Sequence, residues 1–83
     1  MSLNIKYQDI LTLDDNNKYV VVSKVTYNNI DYIYLVDIYD TTNIKMAEIE
    51  EDCISILDDR EVELINNLIP LFYEKSKNDI INN

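Results

Sequence analysis

The chain has 83 residues with 16 acidic and 7 basic side chains, a net charge of −9, one Cys, one Pro and no His, Gly or Trp. Without Gly there can be no phosphate-cradling loop, which needs a backbone approach that only Gly permits; without His there is no Ser-His or Cys-His pair and no imidazole ligand, and Cys53 alone builds neither a zinc site nor an internal disulfide. At this length about 60% of the unfolded chain's surface can be buried, which points to one domain over residues 1–83 with one small core.

Alternating apolar residues rich in β-branched and aromatic types run through the first two-thirds, and helical spacing starts only after residue 58. The first predicted strand covers residues 9–13 and ends at Asp14, Asp15, Asn16 and Asn17, whose side chains favour turns by bonding their own backbone. The second covers residues 18–27. Asn28 and Asn29 then fit a two-residue hairpin turn with positive φ at both positions, which Asn tolerates best after Gly.

That turn sets a register. Tyr27 faces Ile30, Val25 faces Tyr32, Ser23 faces Tyr34, Val21 faces Val36 and Tyr19 faces Ile38, all on one apolar side of the ribbon. The other side pairs Thr26 with Asp31, Lys24 with Ile33, Val22 with Leu35 and Val20 with Asp37, and its Val22, Ile33 and Leu35 are expected to dock the helix or a second copy of the chain. A second turn at residues 40–43 leads to a fourth strand at residues 44–49, whose imperfect alternation suggests a bulge. Residues 53–57 make a short fifth strand.

Asp58 or Asp59 is the expected N-cap of a helix over residues 59–75, Asp58 and Glu61 having capping-box spacing. Val62, Ile65, Ile69 and Phe72 form its apolar stripe, broadened by Leu64, Leu68 and Leu71, and Pro70 falls on the solvent side with Arg60, Glu63, Asn67 and Glu74. Residues 76–83 are expected to be a frayed tail. The predicted fold is α+β and mainly β: a five-stranded antiparallel meander curled into a small SH3-like barrel, closed or half closed, with one C-terminal amphipathic helix. In a Gly-free sheet the bends must come from bulges and from Asn or Asp turns.

Charge is uneven. Residues 1–47 carry six acids and four bases, net −2, and residues 48–83 carry ten acids and three bases, net −7. Eight carboxylates, Glu48, Glu50, Glu51, Asp52, Asp58, Asp59, Glu61 and Glu63, stand against Arg60 alone. One reading is a solvated loop and a helix N-terminus whose dipole favours acids; the other is a docking face for a basic protein, since this field repels phosphates and attracts Lys and Arg. Nucleic acid is therefore not an expected partner. The same field works against a reactive Cys53, because negative neighbours raise a thiol pKa.

Asp14, Asn16 and Lys18 imitate the start of a calcium-binding loop, but the Gly and the closing Glu are missing, with Val25 in the last position. No cofactor or metal is expected. The seven Tyr suit a core or rim better than a base-stacking platform, which normally comes with a positive groove. No window of about 18 apolar residues and no basic-then-apolar N-terminus is found, so neither a membrane partner nor a signal peptide is expected and the location read from this is cytoplasmic.

The order Asp9-Ile-Leu-Thr-Leu-Asp-Asp, Lys18-Tyr-Val-Val-Val-Ser-Lys and Asp31-Tyr-Ile-Tyr-Leu-Val, closed by Ile54-Ser-Ile-Leu-Asp-Asp-Arg-Glu, resembles the small acidic YrzB-like domain of low-GC Gram-positive bacteria over about residues 7–73. It is also similar to short proteins of clostridia and their mobile elements, which share the Tyr-Val-Val-Val-Ser-Lys strand and an end like Leu68-Ile-Pro-Leu-Phe72. The chain departs from the YrzB-like pattern in lacking the turn Gly and in its longer apolar helix. The resemblance implies no activity and no catalytic residues. The functional expectation is a non-enzymatic interaction module or accessory subunit with an acidic docking face. Its alternatives are an acidic inhibitor that mimics nucleic acid toward a DNA- or RNA-binding protein, and a structural homodimer.

Overall fold

Alternation and Asn-rich turns build five antiparallel strands, β1 (Ile10–Thr12), β2 (Lys18–Tyr27), β3 (Ile30–Asp37), β4 (Ile44–Ile49) and β5 (Ile54–Ile56). A computed structural model describes the backbone of residues 4–81 and the side chains of residues 4–75. The strands pair in chain order, β1-β2-β3-β4-β5, so the sheet is a meander curled into a half-barrel in which β1 and β5 are the unpaired edges. One turn of 3-10 helix, Asp59–Glu61, leads into α1 (Val62–Ile81). The backbone is helical well past residue 75, where the apolar stripe ends, so most of the expected frayed tail belongs to α1; residues 82–83 lie outside the described residues.

Left-handed backbone is supplied without Gly. Asn28 (φ 53°) and Asn29 (φ 66°) make the β2–β3 turn and Asn16 (φ 65°) the β1–β2 turn, while Gln8 (φ 76°) takes the same conformation just before β1. Short polar side chains that bond locally lower the cost of this region for Asn; Gln8 has no such advantage.

The hairpin begins in the register that the turn dictates. Tyr27 lies opposite Ile30, Val25 opposite Tyr32 and Ser23 opposite Tyr34, but beyond Ser23 the pairing shifts, with Val21 opposite Leu35, Val20 opposite Val36 and Tyr19 opposite Asp37. Val22 is the extra residue of a bulge. The bulge sits in β2 and not in β4, whose pairing with β3 runs unbroken from Asp31↔Ile49 to Val36↔Ile44.

The shift reassigns faces. Tyr19 and Val21 turn into the half-barrel with Ile33, Leu35, Ala47 and Ile5, forming an inner core flanked by Leu11, Leu13, Ile49 and Ile54. Val25, Tyr27, Ile30, Tyr32 and Tyr34 stay on the outer face, where Leu64, Ile65, Leu68, Leu71 and Phe72 of α1 cover them together with Leu57. Ile33 and Leu35 are thus no dock for the helix or for a second copy: both are fully enclosed in the inner core. The expected apolar side was right near the turn and inverted beyond the bulge.

A polar chain closes one end of the inner core. Tyr19 Oη donates to Asp15 Oδ2 at 2.7 Å and accepts from Asn43 Nδ2 at 2.9 Å, and the same Asn43 nitrogen reaches Asp37 Oδ2 at 3.2 Å. Two turns and two strands are tied through these side chains, so the buried Asp37 and the enclosed Tyr19 are not left without partners. Ser23 differs: its buried Oγ, next to the bulge, has no partner among the described residues.

Asp58 caps the helical segment in extended backbone, its Oδ1 accepting from the Arg60 amide at 2.9 Å while its Oδ2 accepts from the Arg60 guanidinium at 3.0 Å. Pro70 is solvent-facing within α1, where the hydrogen bond it cannot make costs least because the freed carbonyl is open to solvent. Leu68, fully buried, is the centre of the contact between α1 and the sheet. Leu68→Ala should therefore cost about 2–5 kcal/mol of stability, read as a lower urea midpoint with an unchanged slope; a loss no larger than that of an exposed substitution would mean that α1 does not dock here.

Candidate functional site

The acidic segment occupies the end of β4, the β4–β5 turn and the start of the helical region. Glu50, Glu51, Asp52, Asp58, Asp59 and Glu63 are exposed, and Glu48 and Glu61 are half-buried. Strand pairing sets Glu48 opposite Tyr32 on one side and opposite Ser55 on the other. Burial, then the charges of Glu48 and Glu61, push the Tyr32 hydroxyl above its ordinary pKa, so the acids of β4 and of the first helical turn converge on one buried ring. The segment's lone cation, Arg60, is already engaged by Asp58 at 3.0 Å, and among the described residues the only other ion pair is Lys24 with Asp31 at 4.0 Å.

Cys53 lies in this field. Its Sγ donates to Glu50 Oε2 at 3.1 Å while the Glu50 amide donates to the Cys53 carbonyl at 2.8 Å. The Glu50 hydrogen bond, desolvation and the charges of Glu50 and Asp52 push the thiol up to about 11. An exposed thiol of this kind is a poor nucleophile at neutral pH. Asp58, held by Arg60, and Asp40, held by Thr42, have carboxyls below the usual range, as does Asp15 through the Tyr19 hydroxyl and the Asn17 amide. None of these carboxylates is raised toward neutrality, as a general acid would need to be.

Three concave regions border the sheet. The first, about 690 Å³, gathers Lys6, Lys24 and Lys75 with Glu74 around Ser23 and Ile5. It holds three of the chain's seven basic side chains, away from the 48–63 segment. The second, about 680 Å³, is the open seam between the sheet edges, with Leu11, Leu13 and Ile54 inside and Asp14, Asp15 and Cys53 at the rim. The structure thereby brings acids of the β1–β2 turn to the border of the 48–63 segment, which sequence reasoning had left apart. The third, about 370 Å³, is apolar and lies between Val22, Tyr34 and Met46 of the sheet and Ile69, Phe72 and Tyr73 of α1.

Of the residues expected to form an apolar interface, Val22 alone lines an open surface. What the sequence reading missed is the rest of that surface. The signal was present in the Val20-Val21-Val22 run, where unbroken apolar sequence replaces alternation and makes a bulge able to present side chains on either face.

Among the described residues no group of three or more His, Cys, Asp or Glu is placed to hold a metal ion, and no helix is long and apolar enough to cross a membrane. Comparison of the chain with known protein families, characterised proteins and solved structures finds no match. At pH 8, with its thiol pushed up to about 11 rather than the ordinary 9.0, Cys53 should be alkylated by iodoacetamide at least ~10-fold more slowly than a cysteine in an unstructured peptide, the smaller thiolate fraction outweighing its higher nucleophilicity. Glu50→Gln should recover much of that difference; equal rates for chain and peptide would contradict the hydrogen bond to Glu50.

Proposed function

We propose that the protein is a non-enzymatic interaction module of the cytoplasm that docks a basic protein partner through the acidic end formed by residues 48–63. The observation that carries this reading is the scarcity of countercharge among the described residues: the 48–63 segment holds eight carboxylates and one cation, Arg60, which is bound to Asp58. Unneutralised exposed acids raise the local concentration of cationic partners and repel nucleic acid. The segregation of Lys6, Lys24 and Lys75 in a separate cleft supports the same reading, because the field at the acidic end is not diluted by them. The resemblance of residues 7–73 to the YrzB-like domain belongs to this proposal as a statement of kinship and adds no activity.

The test is affinity purification from the source cells with the folded chain as bait. A control bait carries Glu48→Lys, Glu50→Lys, Glu51→Lys and Asp52→Lys, with its circular dichroism checked against wild type. The expected result is a basic protein retained by wild type at moderate salt, released at high salt and absent from the control. Retention unaffected by the reversal, or none by either bait, would contradict the acidic docking face. A retained DNA- or RNA-binding protein displaced by free DNA would instead identify the nucleic-acid-mimicking inhibitor.

A further inference from the structure

Among the described residues, the side chains of α1 cover only half of the outer face of the sheet. The helix lies over the hairpin end, on Val25, Tyr27, Ile30, Tyr32 and Tyr34. Beyond the bulge the pairings set Ile10, Val20, Val36 and Ile44 directly opposite one another, a straight row of four aliphatic side chains across β1, β2, β3 and β4. All four share the outer face, since their sequence neighbours Leu11, Tyr19, Val21 and Leu35 point into the inner core. Ile10 is 59% exposed and Ile44 45%.

Beside this floor stands a wall. Ile69 and Tyr73 follow one another at i and i+4 along one stripe of α1 and are 47% and 69% exposed. The apolar groove of about 370 Å³ lies between the wall and Val22, Tyr34 and Met46, which are next to the floor, with Phe72 tilted on Tyr34 at a centroid distance of 5.5 Å. With strands about 4.8 Å apart the row spans roughly 14 Å, and a helix is about 10 Å across. The surface is a step, one helix high and wide enough for one helix.

Three observations identify what fills it. The first is shape. α1 crosses the strands: the 3-10 turn ahead of it places Glu61 near Tyr32 of β3, and its later turns carry Lys75 to the cleft of Lys24 and Ile5. A two-fold axis lying between two such sheets and running across their strands therefore places each helix on the other copy's bare rows, an isologous fit of step against step. The second is charge: no acid stands in the rows, the exposed Lys18 shares their face opposite Thr12, and the helix that would lie there carries the exposed Glu74. Self-association here avoids the 48–63 segment that would make two copies of a −9 chain repel. The third is area. At these exposures the step presents on the order of 500 Å² of apolar surface per copy, at the upper end of the largest patch an ordinary monomer leaves open and a substantial part of the roughly 800 Å² per partner of a stable interface.

We propose that the bare rows and the exposed stripe of α1 form the interface of a homodimer in which each copy's α1 lies on the other's sheet. This surface is separate from the acidic end, so the dimer stands or falls independently of a basic partner. It replaces Ile33 and Leu35, which are enclosed, by Ile10, Val20, Val36 and Ile44 as the floor of the interface.

The test is sedimentation of the full chain from about 1 to about 500 µM at moderate salt. The expected result is the mass of two chains at the upper end, with Ile44→Lys on the floor and Tyr73→Lys on the wall each raising the dissociation constant at least ~10-fold. Ile56→Lys, at the open seam, should leave it unchanged. Circular dichroism and thermal midpoints at low concentration establish that each variant folds, and the milder Ile44→Thr and Tyr73→Ser take their place where a Lys variant does not. A single-chain mass at every concentration overturns the proposal and leaves the step for a different protein. A dimer indifferent to floor and wall variants overturns it equally.

Discussion

The extra residue in β2 governs the rest of the molecule. A sheet has two faces and a chain of this length has little apolar material, so both faces can be covered only if the same strands supply two cores. Without the Val22 bulge, Tyr19, Val21 and Val25 would share one side of the ribbon. With it, Tyr19 and Val21 enter the half-barrel while Val25 stays under α1, so a single hairpin feeds the inner core at one end and the outer core at the other. The same bulge adds local twist that helps the sheet curl in the absence of Gly.

The division also explains why the outer face is left half bare. α1 covers the rows near the hairpin turn because Tyr27, Ile30 and Tyr32 present the larger side chains there, and beyond the bulge the outward positions are filled by Val20, Val36 and Ile44. Short aliphatic side chains make a flat surface, suited to packing against another flat or ridged element and ill suited to enclosing a small molecule. Half of the chain's 16 acids are concentrated away from these rows, at the end of β4, in the β4–β5 turn and at the start of the helical region. Charge that favours solubility and apolar surface that favours association thus occupy different regions.

Much of this was legible in the sequence. Alternation and the Asn28-Asn29 turn located β2 and β4 and the start of β3, and the helical cap falls on Asp58, one of the two acids expected there. The register was right from Tyr27 to Ser23 because turn geometry fixes it locally. It failed beyond Ser23 because three consecutive Val fit either face equally well, and the choice was made by tertiary demands: Tyr19 needs Asp15 and Asn43 for its hydroxyl, and Leu35 needs Val21 across from it. The interface residues Ile33 and Leu35 were misplaced for that one reason. The acidic segment was plain from composition, whereas its lack of countercharge depended on where the Arg60 side chain goes.

Register across the bulge is where the account is most directly exposed to measurement. In a nuclear Overhauser spectrum of the labelled chain, cross-strand contacts should link Val20 with Val36, Val36 with Ile44 and Val21 with Leu35, alongside Val25 with Tyr32 nearer the turn. Contacts of Val20 with Asp37 and of Val22 with Leu35 in their place would mean an unbroken ribbon. In that case the two cores, the bare outer rows and the dimer built on them would all be contradicted together.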